Sequence, residues 1–212
     1  KQLLLAHDGL SKVDDVPLKA EGMYLPETYS YQRGDSAVDI MTRMNVALEE
    51  TLNAAWENRI PDLPFDTKEE ALILASIIEK ETAVPDERRR VAGVFINRLK
   101  RGIPLQTDPT VIYALTKGEH KNDGQGPLGR RLLKKDLEID SPYNTYKYAG
   151  LPPTPIANAG KESIEAALNP EEHDYIYFVA DGSGGHAFSK TLTEHNANVA
   201  KWYAIRRERG EM

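Results

Sequence analysis

The sequence contains no cysteine among its 212 residues. This absence excludes disulfide bonds, thiolate catalysis, and zinc or iron–sulfur sites that depend on cysteine ligands. It does not separate a cytosolic from a periplasmic protein. With 40% hydrophobic and 28% charged residues, the chain is long and apolar enough to build a sizeable core.

Long apolar runs and an excess of basic charge are also missing. No stretch reaches the roughly 18 residues that a membrane-spanning helix needs, and no signal peptide is visible. The chain starts at Lys1, and residues 2–6 resemble the end of a longer element, so we expect a piece of a longer protein. The formal net charge of −6 argues against a nucleic-acid partner.

Several familiar catalytic motifs are absent. The sequence has no Gly-x-Ser-x-Gly elbow and no His-Glu-x-x-His zinc motif. His186 and His195 are nine residues apart and share no helical face, which makes a metal site a weak interpretation. The glycines of residues 182–185 precede a strand pattern, whereas a phosphate-binding loop requires a helix there. We therefore predict neither a metal nor an organic cofactor.

The most informative stretch that is present covers residues 71–83. Its first eight residues are almost wholly apolar and contain no glycine or proline. Thr67 and Glu70, three residues apart, form a capping-box pattern in front of it. A helix that is apolar nearly all round belongs in the interior. We predict a central buried helix that ends in two carboxylates, Glu79 and Glu81.

The two carboxylates lie on different faces of this helix. Glu81 is in line with Ile78, Ile77 and Leu74, whereas Glu79 follows a smaller and more polar row that includes Ser76. Burial and the negative end of the helix dipole would both raise the pKa of Glu81, as a general acid near neutral pH requires. The commoner case is a pair of solvated helix-end carboxylates that bind Lys80 or the arginines of residues 88–90, and the pattern alone favours it.

Periodicity and turn residues predict an α+β fold. A helical body surrounds the central helix, and a small antiparallel hairpin is formed by residues 175–180 and 186–189. Further helices are predicted over residues 36–56, 160–168 and 192–207.

Two more helices have predicted starts. Asp86 is expected to cap the first, which Gly102 ends, while Asp108 and Pro109 are expected as the N-cap and first residue of the second. The first also carries basic residues that would form a solvated face, pair with acids, or receive an acidic polymer: Arg88, Arg89, Arg90, Arg98, Lys100 and Arg101.

Aromatic and amide side chains are concentrated in loops stiffened by proline. Such residues can stack on pyranose faces and bind hydroxyl and acetamido groups, although they equally suit ordinary loop packing. Asp108 is a further acid in an unusual setting. The candidate sugar-binding residues are Gln106, Asp108, Tyr143, Asn144, Tyr146, His186, Phe188 and Asn196.

Six blocks of sequence closely resemble the YceG-like family of endolytic murein transglycosylases. They appear in family order, from about residue 21 to the end of the chain. They cover residues 75–83, 91–99, 105–113, 143–146, 150–153 and 177–196.

The resemblance implies a lyase that cleaves peptidoglycan glycan strands between N-acetylmuramic acid and N-acetylglucosamine, leaving a 1,6-anhydro-muramyl end. The family places its catalytic glutamate in the Glu-Lys-Glu-Thr motif, which matches Glu81 here, with Thr82 where other lytic transglycosylases have serine. Glu81 would protonate the glycosidic oxygen and then act as base while the muramyl C6 hydroxyl closes onto C1. No second carboxylate is needed, because the attacking group is intramolecular.

The resemblance also implies a setting for the whole protein. Family members have one N-terminal helix in the inner membrane, face the periplasm or cell exterior, and carry a LysM-like module before the catalytic domain. Residues 1–20 are then the remnant of that module or a linker, and residues 21–212 the catalytic domain. The implied role is to terminate nascent strands, with glycan strands and peptidoglycan synthases as candidate partners and no membrane contact except through the anchor.

Two other functions remain open at this point. One is a lysozyme-type hydrolase of the same bond. The other is a peptidoglycan-binding scaffold module that organises synthases without cutting the glycan.

Overall fold

A computed structural model describes residues 9–11, 19–119 and 127–211 of the chain. Two short 3₁₀ turns cover Pro85–Glu87 and Lys134–Glu138. Strands β1 (Tyr177–Ala180) and β2 (His186–Ser189) form one antiparallel hairpin. The six α-helices of these described ranges are α1 (Ala37–Glu57), α2 (Lys68–Glu81), α3 (Arg88–Lys100), α4 (Asp108–Thr116), α5 (Lys161–Leu168) and α6 (Leu192–Glu208).

Helix α2 is the centre of the fold, as its apolar sequence predicts. Every residue from 71 to 78 is buried, and Leu74, Ile77 and Ile78 have no exposed surface. The predicted capping box is present: the Thr67 hydroxyl accepts from the Glu70 amide at 3.2 Å, and the Glu70 carboxylate accepts from the Thr67 amide at 3.1 Å. Helices α1, α3, α4 and α5 pack around this helix. The α+β prediction with a central buried helix is confirmed.

The start of α3 differs from the prediction. Asp86 was expected to cap the helix, but residues Pro85–Glu87 form a 3₁₀ turn that runs directly into it, with no side-chain cap. Asp86 points to solvent as a result. The turn places the next residue, Glu87, against the hairpin, where the Glu87 carboxylate accepts a hydrogen bond from the His186 backbone amide.

The start of α4 is also displaced from the prediction, by one residue. Thr107, in the extended conformation, is the N-cap, so Asp108 is the first helical residue and Pro109 the second. Proline has no backbone N–H, but the N–H groups of a first helical turn have no partner within the helix, so Pro109 is tolerated there. The Asp108 carboxylate is therefore available to side chains, and it accepts a hydrogen bond from Tyr146.

The hairpin and α6 form a layer beside the helical body. Phe178 of β1 meets the buried Phe95 edge-on at 5.8 Å, which anchors one face of the hairpin on the core. Helix α6 packs against β1 and β2, yet none of its described residues is buried. An open cleft remains between this layer and the end of α2.

The described part of the N-terminal segment contacts α1. The Ser11 amide donates to the Asp35 carbonyl at 2.9 Å, and Leu10 packs with Tyr24, Ile40 and Met41. Most of the predicted upstream remnant, residues 1–20, lies outside the described residues. In the ranges that the structure describes, no helix combines the length and apolarity needed to cross a bilayer.

Candidate active site

Glu81 is the last residue of α2 and faces the cleft. Its neighbour Thr82 leaves the helix in an extended conformation. The Thr107 hydroxyl, just before α4, donates a hydrogen bond of 2.6 Å to Glu81 Oε2. Two elements that are distant in sequence therefore fix one carboxyl at the edge of the core.

The surroundings of Glu81 favour its protonated form. Burial raises the pKa of Glu81 above its ordinary value of 4.5, and the charge of Asp108 acts in the same direction. The Thr107 hydrogen bond and a protonated His186 oppose this shift without reversing it. A carboxyl that keeps its proton toward neutral pH can serve as a general acid. Of the two causes expected from sequence, burial and the helix dipole, burial is the main cause of the raised pKa of Glu81.

Glu79, two residues earlier, has a different environment. Its Oε2 accepts a hydrogen bond from the Gly160 amide at 3.1 Å and another from the Ser163 hydroxyl at 2.6 Å. These donors belong to the start of α5, where a negative charge is stabilised by the helix dipole. Glu79 therefore ties α5 to α2. The predicted separation of the two carboxylates by helix face is seen in the structure.

The cleft in front of Glu81 has a volume of about 640 Å³. Four of the predicted sugar-binding residues line it together with Glu81: Gln106, Asp108, Tyr146 and Asn196. Asp108 and Tyr146 form a pair, because the Tyr146 hydroxyl donates to Asp108 Oδ1 at 2.6 Å. Burial and then this hydrogen bond raise the pKa of Tyr146, so its phenol stays neutral and acts as a donor.

Asn144 was predicted to bind sugar, but in the structure its side chain is engaged by the protein itself. The residue has no exposed surface. Its amide nitrogen donates to the carbonyls of Leu137 and Ile139, both at 2.8 Å, and its oxygen accepts from the Tyr146 amide at 3.0 Å. No polar atom of Asn144 is left for a ligand. The side chain instead fixes the loop that presents Tyr146.

Tyr143 and Phe188 were also predicted at the sugar site, and neither belongs to the described lining of the Glu81 cleft. Tyr143 packs on Tyr113 with a centroid distance of 4.9 Å, and Lys117 lies 4.7 Å from the Tyr143 ring. Phe188 packs against Phe178 at 6.0 Å, on the core side of the hairpin. Both rings pack against other side chains of the protein. This is the ordinary packing that the sequence composition allowed as an alternative to sugar binding.

His186 lies next to the cleft without being part of its lining. Its ring meets Phe178, which does line the cleft, edge-on at 5.2 Å. Glu87 holds the other side of the imidazole: the ring Nδ1 is 2.7 Å from Glu87 Oε2, and the His186 amide donates to Glu87 Oε1 at 2.8 Å. His186 is thus firmly oriented beside the cleft wall that Phe178 forms.

Sequence reasoning missed several residues of the cleft. Thr107 was unremarkable in sequence, 26 positions from the carboxyl that it binds. The buried Arg98 donates to the carbonyls of Ile176 and Leu105, both at 2.7 Å, which joins the hairpin to the segment before α4. Further lining residues come from β1 and α6, among them Tyr177, His195, Trp202, Tyr203 and Arg206. The adjacent Trp202 and Tyr203, on a helix without a clear apolar stripe, were the available signal in the sequence.

The basic residues of α3 are mostly engaged by the protein itself. Arg88 pairs with Glu162 at 3.1 Å and Arg90 with Glu171 at 3.0 Å. Of the alternatives open from sequence, ion pairing fits these two arginines. Among the residues that the structure describes, no group of three or more histidines and carboxylates is arranged to hold a metal ion.

Comparison with known proteins gives the chain a family. A model of the YceG-like family matches residues 3–201. The chain belongs to the YceG-like family. The resemblance seen in the six sequence blocks is thereby confirmed.

Named relatives of this YceG-like chain include an endolytic murein transglycosylase of Bacillus subtilis (strain 168). It is 43% identical over 189 residues, which cover 89% of this chain and 49% of the relative. An endolytic murein transglycosylase of Streptococcus pneumoniae serotype 2 is 34% identical, over 86% of this chain and 32% of the relative. The chain thus spans about half the length of the first and about a third of the second.

A crystal structure of a yceG-like protein from Listeria monocytogenes has the same fold. It superposes with a TM-score of 0.70 at 40% sequence identity, covering 92% of this chain and 62% of that one.

Proposed function

We propose that this YceG-like chain is the catalytic part of a lytic transglycosylase that cleaves peptidoglycan glycan strands endolytically. The bond is the one between N-acetylmuramic acid and N-acetylglucosamine, and the product ends in 1,6-anhydro-N-acetylmuramic acid. The observation that carries the proposal is Glu81, a buried carboxyl with a raised pKa at the edge of a cleft. Relatives named endolytic murein transglycosylases, with 43% and 34% identity, support the choice of reaction.

Glu81 would act twice in this reaction. As an acid it protonates the glycosidic oxygen, and the bond from that oxygen to the muramyl C1 breaks. As a base it then accepts the proton of the muramyl C6 hydroxyl, whose oxygen bonds to C1. The proton balance is closed, since Glu81 ends as it began. The muramyl acetamido group would stabilise the cationic intermediate.

The residues proposed to hold the sugars are those that line the cleft. Gln106, Tyr146 and Asn196 offer hydrogen bonds, and Asp108 orients the Tyr146 hydroxyl. The aromatic side chains of Trp202 and Tyr203 on the opposite wall suit stacking on pyranose rings. His186 is retained as a sugar-binding residue because of its position beside Phe178.

A hydrolase of the same bond is the competing function, since Asp108 is a second carboxylate in the cleft. In a hydrolase it would activate a water molecule. The 2.6 Å hydrogen bond from Tyr146 occupies one of its oxygens, which favours a structural and electrostatic role for Asp108. The lyase reaction needs only Glu81.

The wider setting is proposed from the family resemblance. Residues 21–212 would form the catalytic domain and residues 1–20 the end of a LysM-like module. The full-length protein would be anchored in the inner membrane by an N-terminal helix outside this chain, with the catalytic domain facing the periplasm or cell exterior. There it would terminate nascent strands beside peptidoglycan synthases.

Mass spectrometry of digested, uncrosslinked glycan tests the reaction. The expected products carry anhydro ends; products heavier by one water, about 18 mass units, would identify a hydrolase instead. Glu81→Gln should abolish cleavage while cosedimentation with insoluble peptidoglycan persists. A wild-type chain that binds glycan but yields no product would favour the scaffold function.

A further inference from the structure

Glu87 is a buried carboxylate that the proposed reaction does not use. Its side chain is 13% exposed and that of its partner His186 is 17% exposed. The two residues are 99 positions apart in sequence and meet because the Pro85–Glu87 turn lies against β2. A carboxylate enclosed to this degree needs a specific partner, and here both of its oxygens bind the same residue.

The geometry of this contact determines which ring nitrogen carries the proton. Oε1 accepts from the His186 backbone amide at 2.8 Å, and Oε2 is 2.7 Å from Nδ1. A carboxylate is only an acceptor, so Nδ1 must carry a hydrogen. In the neutral ring Nε2 is then an acceptor. Nε2 has no hydrogen-bond partner among the described residues.

The backbone around the pair is shaped to allow this approach. A Cβ atom on Gly185 would stand 2.7 Å from Glu87 Oε1, closer than real contacts allow. Phe178 closes the other side of the ring at 5.2 Å. His186 is thus held at its backbone amide, at Nδ1 and at one edge of its ring.

We propose that Glu87 is a positioning residue that fixes His186 with its proton on Nδ1, so that Nε2 accepts a hydrogen bond from a sugar hydroxyl or acetamido N–H beside Glu81. This inference rests on the proposed function. Phe178, which the His186 ring meets edge-on, lines the same cleft as Glu81. Glu87 itself does not touch the substrate in this arrangement.

Glu87→Gln provides the test. Glutamine has one acceptor oxygen and one NH₂ donor, so it cannot accept from both the His186 backbone amide and Nδ1–H. The backbone amide keeps its hydrogen, so the ring proton must move to Nε2 to relieve the conflict. Nitrogen-15 NMR of labelled histidines at about pH 8, where an ordinary imidazole is neutral, reports the tautomer, with His186→Gln identifying the signal. We expect protonated Nδ1 in the wild type and protonated Nε2 in the variant.

Kinetics on uncrosslinked glycan give the functional result. Loss of one hydrogen bond made in the transition state should lower kcat at least about tenfold in Glu87→Gln, with KM changed less than about twofold. Asp86→Asn, an exposed carboxylate in the same turn, is the matched control and should behave as wild type. Gly185→Ala, which displaces the Glu87 carboxylate without removing its charge, should reproduce the Glu87→Gln effects.

Three results would overturn the inference: a wild-type proton on Nε2, an unchanged kcat in Glu87→Gln, or a lower kcat with an unchanged tautomer. If Glu87→Gln is unfolded at the assay temperature, the inference is tested instead by the tautomer of wild-type His186 and by the kcat and tautomer of Gly185→Ala. A wild-type chain that cleaves no glycan would refute the proposed function, whereas the NMR result would still confirm or refute the orientation of His186.

Discussion

Glu79 and Glu81 are two residues apart on α2, yet the protein uses them in opposite ways. Glu79 is bound by two donors from the start of α5, which stabilise its negative charge. Glu81 has one donor, a buried position and the negative charge of Asp108 nearby, and its pKa is raised. Chemical identity and helix position hardly differ. The difference lies in what the neighbouring elements present to each carboxylate.

The two carboxylates, one structural and one proposed to be catalytic, differ in the number and charge of their partners. A carboxylate that ties two helices together needs strong donors. A general acid needs the reverse: few donors, an apolar wall and access to a cleft. The predictions below test whether that distinction holds.

The largest expected difference is in turnover. Glu81→Gln removes the proton donor and should lower kcat on glycan by about 10²- to 10⁴-fold, the usual contribution of general acid–base catalysis. Glu79→Gln should leave kcat within a few-fold of wild type at temperatures where the variant is folded. Steady-state release of anhydro ends measures both.

The matched pair of amide variants makes this test specific. Each variant replaces one carboxyl group in the last turn of α2 by an amide of similar volume. Circular dichroism melts establish that both are folded at the assay temperature. A Glu79→Gln variant as inactive as Glu81→Gln would break the distinction, because the charge of the helix end as a whole would then matter.

At neutral pH, Glu79→Gln should lower the stability of the fold more than Glu81→Gln does, the reverse of their order in turnover. Glu79→Gln replaces charge-assisted hydrogen bonds to Gly160 and Ser163 by neutral ones and removes a charge from the N-terminus of α5. We expect it to lower the free energy of unfolding by about 1–2 kcal/mol at neutral pH. Urea denaturation measures the loss, and Ser163→Ala should lose part of the same stabilisation. An unchanged midpoint for Glu79→Gln would contradict the structural role.

Much of α2 could be predicted from sequence because its determinants are local. The capping box joins residues three apart, and an all-round apolar stretch has few alternatives to burial. Glu79 and Glu81 are likewise separated onto different faces by helix geometry alone. The hairpin followed from a β-rich run and a glycine-rich turn, although β1 begins at residue 177 rather than 175.

The site itself depends on contacts that sequence spacing does not encode. Thr107 reaches Glu81 across 26 positions and Glu87 reaches His186 across 99. Asn144 was predicted to bind sugar because an amide in a proline-stiffened loop suits a sugar and a backbone carbonyl equally well; its complete burial favours the backbone role. The role of the α6 wall could not be predicted, since the side chains facing the cleft are set by how the helix packs on β1.

A smaller effect should appear in the pH dependence of cleavage. The negative charge of Asp108 is one cause of the raised pKa of Glu81. Asp108→Asn should therefore lower the pKa of Glu81, and the alkaline limb of kcat/KM should move to lower pH, because the acid loses its proton earlier. A pH profile measured from acid to alkaline conditions checks the direction.

Asp140→Asn is the control for this shift. Asp140 also accepts a tyrosine hydroxyl at 2.6 Å, from Tyr148, but it is not among the described residues that line the cleft. Its removal should leave the alkaline limb where it is. A limb that moves equally in both variants, or to higher pH in Asp108→Asn, would contradict the electrostatic link to Glu81.

The smallest expected effect is on stability as a function of pH. Because the pKa of Glu81 is raised in the folded chain, the folded state binds this proton more tightly than the unfolded state. Glu81 therefore favours folding most at pH values below its ordinary pKa of 4.5, and this advantage is lost as the pH rises toward the folded value. Gln at this position is neutral throughout.

The free energy of unfolding of Glu81→Gln, relative to wild type, should accordingly increase as the pH rises from about 4 to 8 and then level off. Urea denaturation at several pH values gives the difference directly. Glu69→Gln, an exposed carboxylate on the same helix, controls for the change in charge. A difference that falls with pH would mean that the fold stabilises ionised Glu81, and the contrast with Glu79 would then lie only in access to the cleft.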